Sequence, residues 1–199
     1  MRKIYGLLGV CLLSACQTLP TSSEYLLRGD GYFKDGNAPK ALQAYNRAIE
    51  LNPENLEAYS SRGTVHFFSG NYDLAEADFI KVLQANPYHV DTYTAYATTL
   101  AVKGDFQHAL QVLNTAERLQ PAKPEILFSR AGVYFMLGRY KEALRDYTAV
   151  LSVRPAADVY YARANVYLKM GEKDLATRDF NTAKTVSMPK NLEVYAVLD

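Results

Sequence analysis

Glycine recurs at fixed distance along this chain: Gly36, Gly70, Gly104 and Gly138 stand 34 residues apart, and Gly171 falls one residue short of the next step. The same step joins Ala41, Ala75, Ala109 and Ala143, with Ala176 again one short, and it joins Pro53, Pro87, Pro121 and Pro155. Three independent series with one period mean a tandem array, in which each unit buries its apolar face against its neighbours. Within a unit, apolar and small residues follow helical spacing on both sides of the glycine, as in Tyr25, Gly29 and Tyr32, then Ala41, Tyr45 and Ala48. Each unit therefore reads as a helical hairpin. Glycine takes the positive φ that ends the first helix, and proline, which lacks a backbone N–H, stops the second.

The order of residue types carries a family resemblance. Unit one has Tyr25, Gly29, Tyr32, Gly36, Ala41, Tyr45, Ala48 and Pro53. Unit two has Tyr59, Gly63, His66, Gly70, Ala75, Phe79, Val82 and Pro87, and unit four has Leu127, Ala131, Tyr134, Gly138, Ala143, Tyr147, Val150 and Pro155. Unit three departs at Ala97, Leu100 and Leu113; unit five reads Tyr160, Ala164, Tyr167, Gly171, Ala176, Phe180 and Ala183, with its proline displaced to Pro189. This pattern resembles the tetratricopeptide repeat. The resemblance implies an all-α, right-handed superhelical solenoid of five hairpins over residues 22–190, divided as 22–55, 56–89, 90–123, 124–156 and 157–190.

The N-terminus has the form of an export signal: Arg2 and Lys3, an apolar run from Ile4 to Leu13, and small residues before Cys16. The run is too short to span a bilayer, which takes about 20 apolar residues. Leu13-Ser14-Ala15-Cys16 resembles the lipobox of bacterial lipoproteins, which implies a signal peptide over 1–15, acyl chains such as palmitate on Cys16, and a tether over 16–21. Cys11 would leave with the signal and Cys16 would carry lipid, so no thiol would remain for a disulfide, a metal or catalysis. Gln17 after the cysteine implies the outer membrane by the enterobacterial sorting rule, with the array facing the periplasm. Thr21-x-x-Glu24 has the form of a capping box and places the start of the first helix near Ser22. At the other end, residues 191–199 form a short apolar segment, expected to dock as a cap on Phe180 and its neighbours in unit five, in preference to a second molecule.

Arg62, Arg130 and Arg163 share one position in the repeat, and Asp78, Asp146 and Asp179 each follow sixteen residues later, which predicts an ion pair inside each of three hairpins. Arg28, at the same position in unit one, faces Ala44 instead. In the resembled family the fifth and ninth residues of a unit face the concave groove. Here they are Leu26 and Asp30, Ser60 and Thr64, Thr94 and Thr98, Phe128 and Gly132, and Tyr161 and Asn165, with Phe33, Phe67, Phe135 and Leu168 nearby. The Lys, Asn and Arg that grip a chaperone's C-terminal carboxylate in some relatives are missing from nearly all of these positions. An apolar, hydroxyl-lined groove suits an amphipathic helix or an extended peptide with apolar anchors.

No chemistry is legible. His66, His89 and His108 are scattered over different repeat positions, and no nucleophile motif, metal-ligand spacing or phosphate loop accompanies them, so the expectation is a non-enzyme without metal or cofactor. With 22 basic and 21 acidic residues, the charge balance offers nothing to nucleic acid. The expected partner is another envelope protein. The resemblance implies a scaffold for assembly of a pilus or secretion machine, as in type IV pilus and Tad lipoproteins, or an adaptor presenting hydrolases or proteases in cell-wall metabolism, as in NlpI-type lipoproteins. Anchoring has a direct check. Cys16→Ser removes the acylated thiol, so the protein should leave the membrane fraction or accumulate as uncleaved precursor; normal processing with full membrane retention would refute lipidation.

Overall fold

The computed structural model describes residues 19–186, so Cys16 and the segment 191–199 lie outside the described residues. Ten helices follow in pairs: α1 (Ser22–Lys34) and α2 (Ala38–Leu51), α3 (Leu56–Phe68) and α4 (Tyr72–Ala85), α5 (Val90–Val102) and α6 (Phe106–Leu119), α7 (Pro124–Met136) and α8 (Tyr140–Val153), α9 (Ala157–Lys169) and α10 (Lys173–Thr185). Among the described residues there is no strand.

Local chemistry sets the boundaries. At the start of α1 the Thr21 hydroxyl accepts from the Glu24 N–H (3.3 Å), and the Glu24 carboxylate accepts from the Thr21 N–H (2.6 Å), so two of the helix's orphan donors are satisfied reciprocally. Every first helix ends in the same six-residue closure. Gly36, Gly70, Gly104, Gly138 and Gly171 take φ between +71° and +84°, and the next residue's N–H reaches back to a helix carbonyl, from Asn37 to Tyr32 at 2.8 Å and from Glu172 to Tyr167 at 2.9 Å. Pro53, Pro87, Pro121 and Pro155 each lie two residues past a second helix. Each pushes the residue before it out of helical geometry, as at Asn52 (φ −145°, ψ 96°).

The hairpins stack in order, each second helix against the next first helix. Successive first helices also touch, from α1 on α3 to α7 on α9, whereas successive second helices do not. The stack is therefore curved, with α1, α3, α5, α7 and α9 on its inner wall. Alanine or valine fills the core of every unit: Ala41, Ala75, Ala109 and Ala143 are fully buried, as are Ala48, Val82, Ala116 and Val150.

Helix pairs close up at a small residue. A Cβ on Gly29 would stand 2.4 Å from Cε1 of Tyr45, and one on Gly63 would stand 2.8 Å from Cε1 of Phe79. Tyr45 cannot yield easily, because it is 1 % exposed and its hydroxyl donates to Asp30 at 2.8 Å. Gly132 differs: the nearest atom to an added Cβ is the Tyr147 hydroxyl at 3.7 Å, an ordinary contact. Alanine should therefore act with opposite sign at two helical glycines. Gly132→Ala should raise stability by up to about 1 kcal/mol through helix propensity. Gly29→Ala should lower it, because overpacking costs about 1–3 kcal/mol and outweighs that gain. Thermal melting of the two variants checks this, and a stabilised Gly29→Ala would refute the close contact.

Candidate functional site

The inner wall is one helix thick, and its side chains recur at i, i+3 or i+4, and i+7 along each first helix. At the fifth position Leu26 packs half-buried with Tyr45 and Val65, while Phe128 and Tyr161 turn their rings onto Tyr147 (5.5 Å between centroids) and Phe180 (5.6 Å). At the ninth position Asp30 accepts from Tyr45, whose phenol is pushed well above its usual range by burial and then by that carboxylate. Asn165 is exposed.

The hydroxyls are turned inward. Thr64 donates to the Ser60 carbonyl (3.0 Å), Thr94 to that of Asp91 (2.8 Å) and Thr98 to that of Thr94 (2.8 Å). A threonine bonded to its own helix has used its donor, so it offers a partner a methyl group and an acceptor. The wall is thus poorer in donors than a hydroxyl-lined groove suggests.

The aromatics near the turns divide into two sets. Phe67 packs on Tyr72 (5.7 Å) and Phe135 on Tyr140 (5.9 Å), so these rings cement their own hairpins. The residues that follow them stand in water: Phe68 is 54 % exposed and Met136 43 %. In unit five Leu168, at the position of Phe67 and Phe135, is itself 47 % exposed. Phe68 also bridges two units, with its ring 5.9 Å from Phe33. Sequence reasoning passed over Phe68 and Met136, although they stand 34 residues either side of Val102 and that period is the signal that finds them. Between units one and two, Asp30, Phe33, Lys34, Tyr45, Ser61 and Thr64 line a recess open to this row.

The Arg and Asp residues form a different feature. Nε and Nη2 of Arg62 grip Asp78 at 2.9 and 2.6 Å, those of Arg130 grip Asp146 at 2.6 and 3.0 Å, and those of Arg163 grip Asp179 at 2.7 and 2.9 Å. Each guanidinium is held above its usual pKa by the hydrogen bonds to its aspartate, against the opposing effect of burial. Each also reaches back across the unit boundary through Nη1: to Asn46 (2.6 Å), Asn114 (3.3 Å) and Thr148 (3.1 Å). The third members were not legible in the sequence. At the junction of units two and three the whole trio changes to Ile80, Tyr96 and Val112, with the Tyr96 hydroxyl on Glu76 (3.2 Å) and Lys103 bonded to both Asp73 (2.7 Å) and Glu76 (2.6 Å). Burial, with Glu76, pushes the Tyr96 phenol up to about 12. Arg28 of unit one lies over its own Tyr25 ring at 5.1 Å. These pairs are buried between helices and do not join the inner-wall row.

The histidines do not meet. The His66 imidazole is pushed below its usual pKa by burial, His89 pairs with Thr92 (2.7 Å), and His108 lies beside Asp105 (3.6 Å). Among the described residues no group of three or more His, Cys, Asp or Glu side chains could hold a metal ion.

Sequence models described as TPR or tetratricopeptide repeat match residues 29–70, 56–89, 94–151 and 137–185. Solved structures agree in fold. The TPR protein TTC0263 of Thermus thermophilus superposes with TM-score 0.74 at 24 % identity, over 86 % of this chain and 94 % of that one. MamA of Desulfovibrio magneticus gives 0.73 at 16 % identity, over 83 % and 94 %. YrrB, described as a TPR protein with an unusual peptide-binding site, gives 0.63 at 24 % identity, over 82 % and 85 %. No curated protein matches the sequence.

The trio at each junction should behave as a unit. Arg130→Ala leaves Asp146, 4 % exposed, as a buried charge without its partner and should cost about 3–5 kcal/mol. Replacing all three members after the pattern of unit three, with Asn114→Ile, Arg130→Phe and Asp146→Val, should recover most of that loss. Phenylalanine is chosen because Leu110 stands where Glu76 accepts the tyrosine hydroxyl. Urea unfolding measures both, and a triple variant no more stable than Arg130→Ala would refute the coupling.

Proposed function

The chain belongs to the tetratricopeptide-repeat family, and from that premise we propose that it is a lipid-anchored interaction scaffold of the bacterial envelope, assisting assembly of a pilus or secretion machine. The repeat fold itself makes it a protein-interaction scaffold. What supports a specific binding face is the exposed row of Phe68 and Met136 on the inner wall, with Leu168 one position earlier in its unit, beside threonines that present methyl groups and acceptors. Large apolar side chains left in water along one wall mark a contact surface. An amphipathic helix or extended peptide with apolar anchors matches that row, and the peptide-binding site named for YrrB lies on the same fold. The envelope part of the proposal is supported by Leu13-Ser14-Ala15-Cys16 behind a basic and apolar leader.

A photo-crosslinking residue at Phe68 or Met136 should capture one and the same partner in intact cells, and the same residue at exposed Lys141 on α8 should not. Phe68→Asp with Met136→Asp should reduce that capture at least tenfold with the helical circular dichroism unchanged, a loss of about 1.4 kcal/mol or more in binding. Capture that is equal from both walls, or indifferent to the two aspartates, would overturn the inner wall as the binding face.

A further inference from the structure

Every interior junction of the stack repeats one arrangement. Counting from the first residue of each unit, the third and tenth residues of the first helix are buried against the unit before: Ala58 and Val65, Thr92 and Thr99, Ile126 and Val133, Val159 and Val166, none more than 4 % exposed. The sixth is always small, as Ser61, Ala95, Ser129 and Ala162, and Ser61 shares a recess with Tyr45 of the preceding unit. Unit one breaks this pattern at all three places. Glu24 is exposed at the third, and Gly31 at the tenth faces open space, with nothing within 4 Å of an added Cβ. Leu27, 68 % exposed, stands where every other unit is small.

The last helix breaks the complementary pattern. The face a second helix turns toward the next unit is fixed by the bonds of Asn46, Asn114 and Thr148 to the following arginine. On that face, four residues before and three after, lie Leu42 and Ile49, Glu76 and Leu83, Leu110 and Glu117, Leu144 and Leu151, so each interior junction has at least one large aliphatic there. A turn earlier stand Ala38, Tyr72, Phe106 and Tyr140. In α10 these positions are Lys173, Thr177 and Lys184, all exposed.

We propose that α1 and α10 are the two caps of a closed stack: the outer face of each is built to remain in water, and neither a further repeat nor a second copy of this chain seats on it. One element of an interior junction survives at the ends. A second copy placed head to tail would bring Asn181 to Arg28, in the relation of Asn46 to Arg62, and lysines of α10 toward Glu24. Those polar contacts are exposed and contribute little, and the apolar area that drives the interior junctions is missing from both faces. Leu27 also fills the space that the small sixth residue leaves free. The expectation that residues 191–199 dock on unit five falls on residues outside the described ones.

The test uses the whole chain, in one detergent buffer, and two half-converted variants. One carries Glu24→Ala, Leu27→Ser and Gly31→Val; the other carries Lys173→Tyr, Thr177→Leu and Lys184→Leu. Sedimentation should show each variant alone with the mass of the parent, and an equimolar mixture should form a one-to-one pair and stop there. A chain with all six changes should grow head to tail with rising concentration. Half-converted variants that keep the parent's helical circular dichroism but do not pair would overturn the proposal. So would self-association of the parent chain that Arg28→Ala or Asn181→Ala abolishes, whereas association indifferent to both lies away from the ends and agrees with it. If a triple variant loses its helical signal, the milder variants Glu24→Ala with Leu27→Ser and Thr177→Leu with Lys184→Leu, all at exposed positions, carry the same mixing test with the same outcomes.

Discussion

The stack rests on one contact, made five times: a small residue of the first helix beneath a large side chain of the second. Gly29 under Tyr45 and Gly63 under Phe79 leave no room for a methyl group, while Ala97, Ala131 and Ala164 take the same place, fully buried, in the other units. Distance between helix axes follows from the side chains at the crossing. A glycine there costs helix propensity, about 1 kcal/mol against alanine, and the structure meets that cost where the ring is closest. Everything else in a hairpin is arranged around this spacing, including the positive-φ glycine that turns the chain back in register.

Junctions between hairpins need a second device, because aliphatic packing alone leaves neighbouring units free to slide. The Asn–Arg–Asp trio supplies direction. A guanidinium held by two bonds to one carboxylate has a fixed plane, and its remaining nitrogen then has one place to bond on the unit before. Such buried pairs are weak evidence for net stability, since desolvation opposes them, and their clearer effect is on register. The junction of units two and three shows that the device is replaceable as a whole: Ile80, Tyr96 and Val112 change together, and orientation passes to Tyr96, Glu76 and Lys103 nearby. Mixed trios would leave a buried charge or an unpartnered amide, and the described chain contains none between units two and five.

Features that obey the 34-residue period were legible in the sequence, because they depend on one unit alone. The turn glycines, the prolines, the Thr21 box and the spacing of Arg130 to Asp146 are all local to a hairpin. What the sequence did not reveal depends on rotation between units or on a single torsion. Asn114 meets Arg130 only because α6 is turned toward α7, which no spacing within a unit states. The inward donation by Thr64 and Thr98 is a choice of rotamer. Phe67 and Phe68 are neighbours in sequence, yet a helix separates adjacent residues by about 100°, so one cements the hairpin and the other faces water.

The position of the exposed row follows from the same geometry. In a stack where each unit contacts chiefly its neighbours, the interior of each hairpin and the junction faces must be kept for packing, and they take the alanines, the rings and the polar trios. The inner wall is a long surface to which every unit contributes and which the junction faces leave largely open. A side chain there takes little part in either contact, which is why Phe68 and Met136 can stand largely in water, Phe68 with its ring beside Phe33, while the stabilising positions around them stay buried. On the proposed reading, binding and stability therefore occupy different positions of the same repeat, and a partner would read the chain through residues that the fold itself needs least.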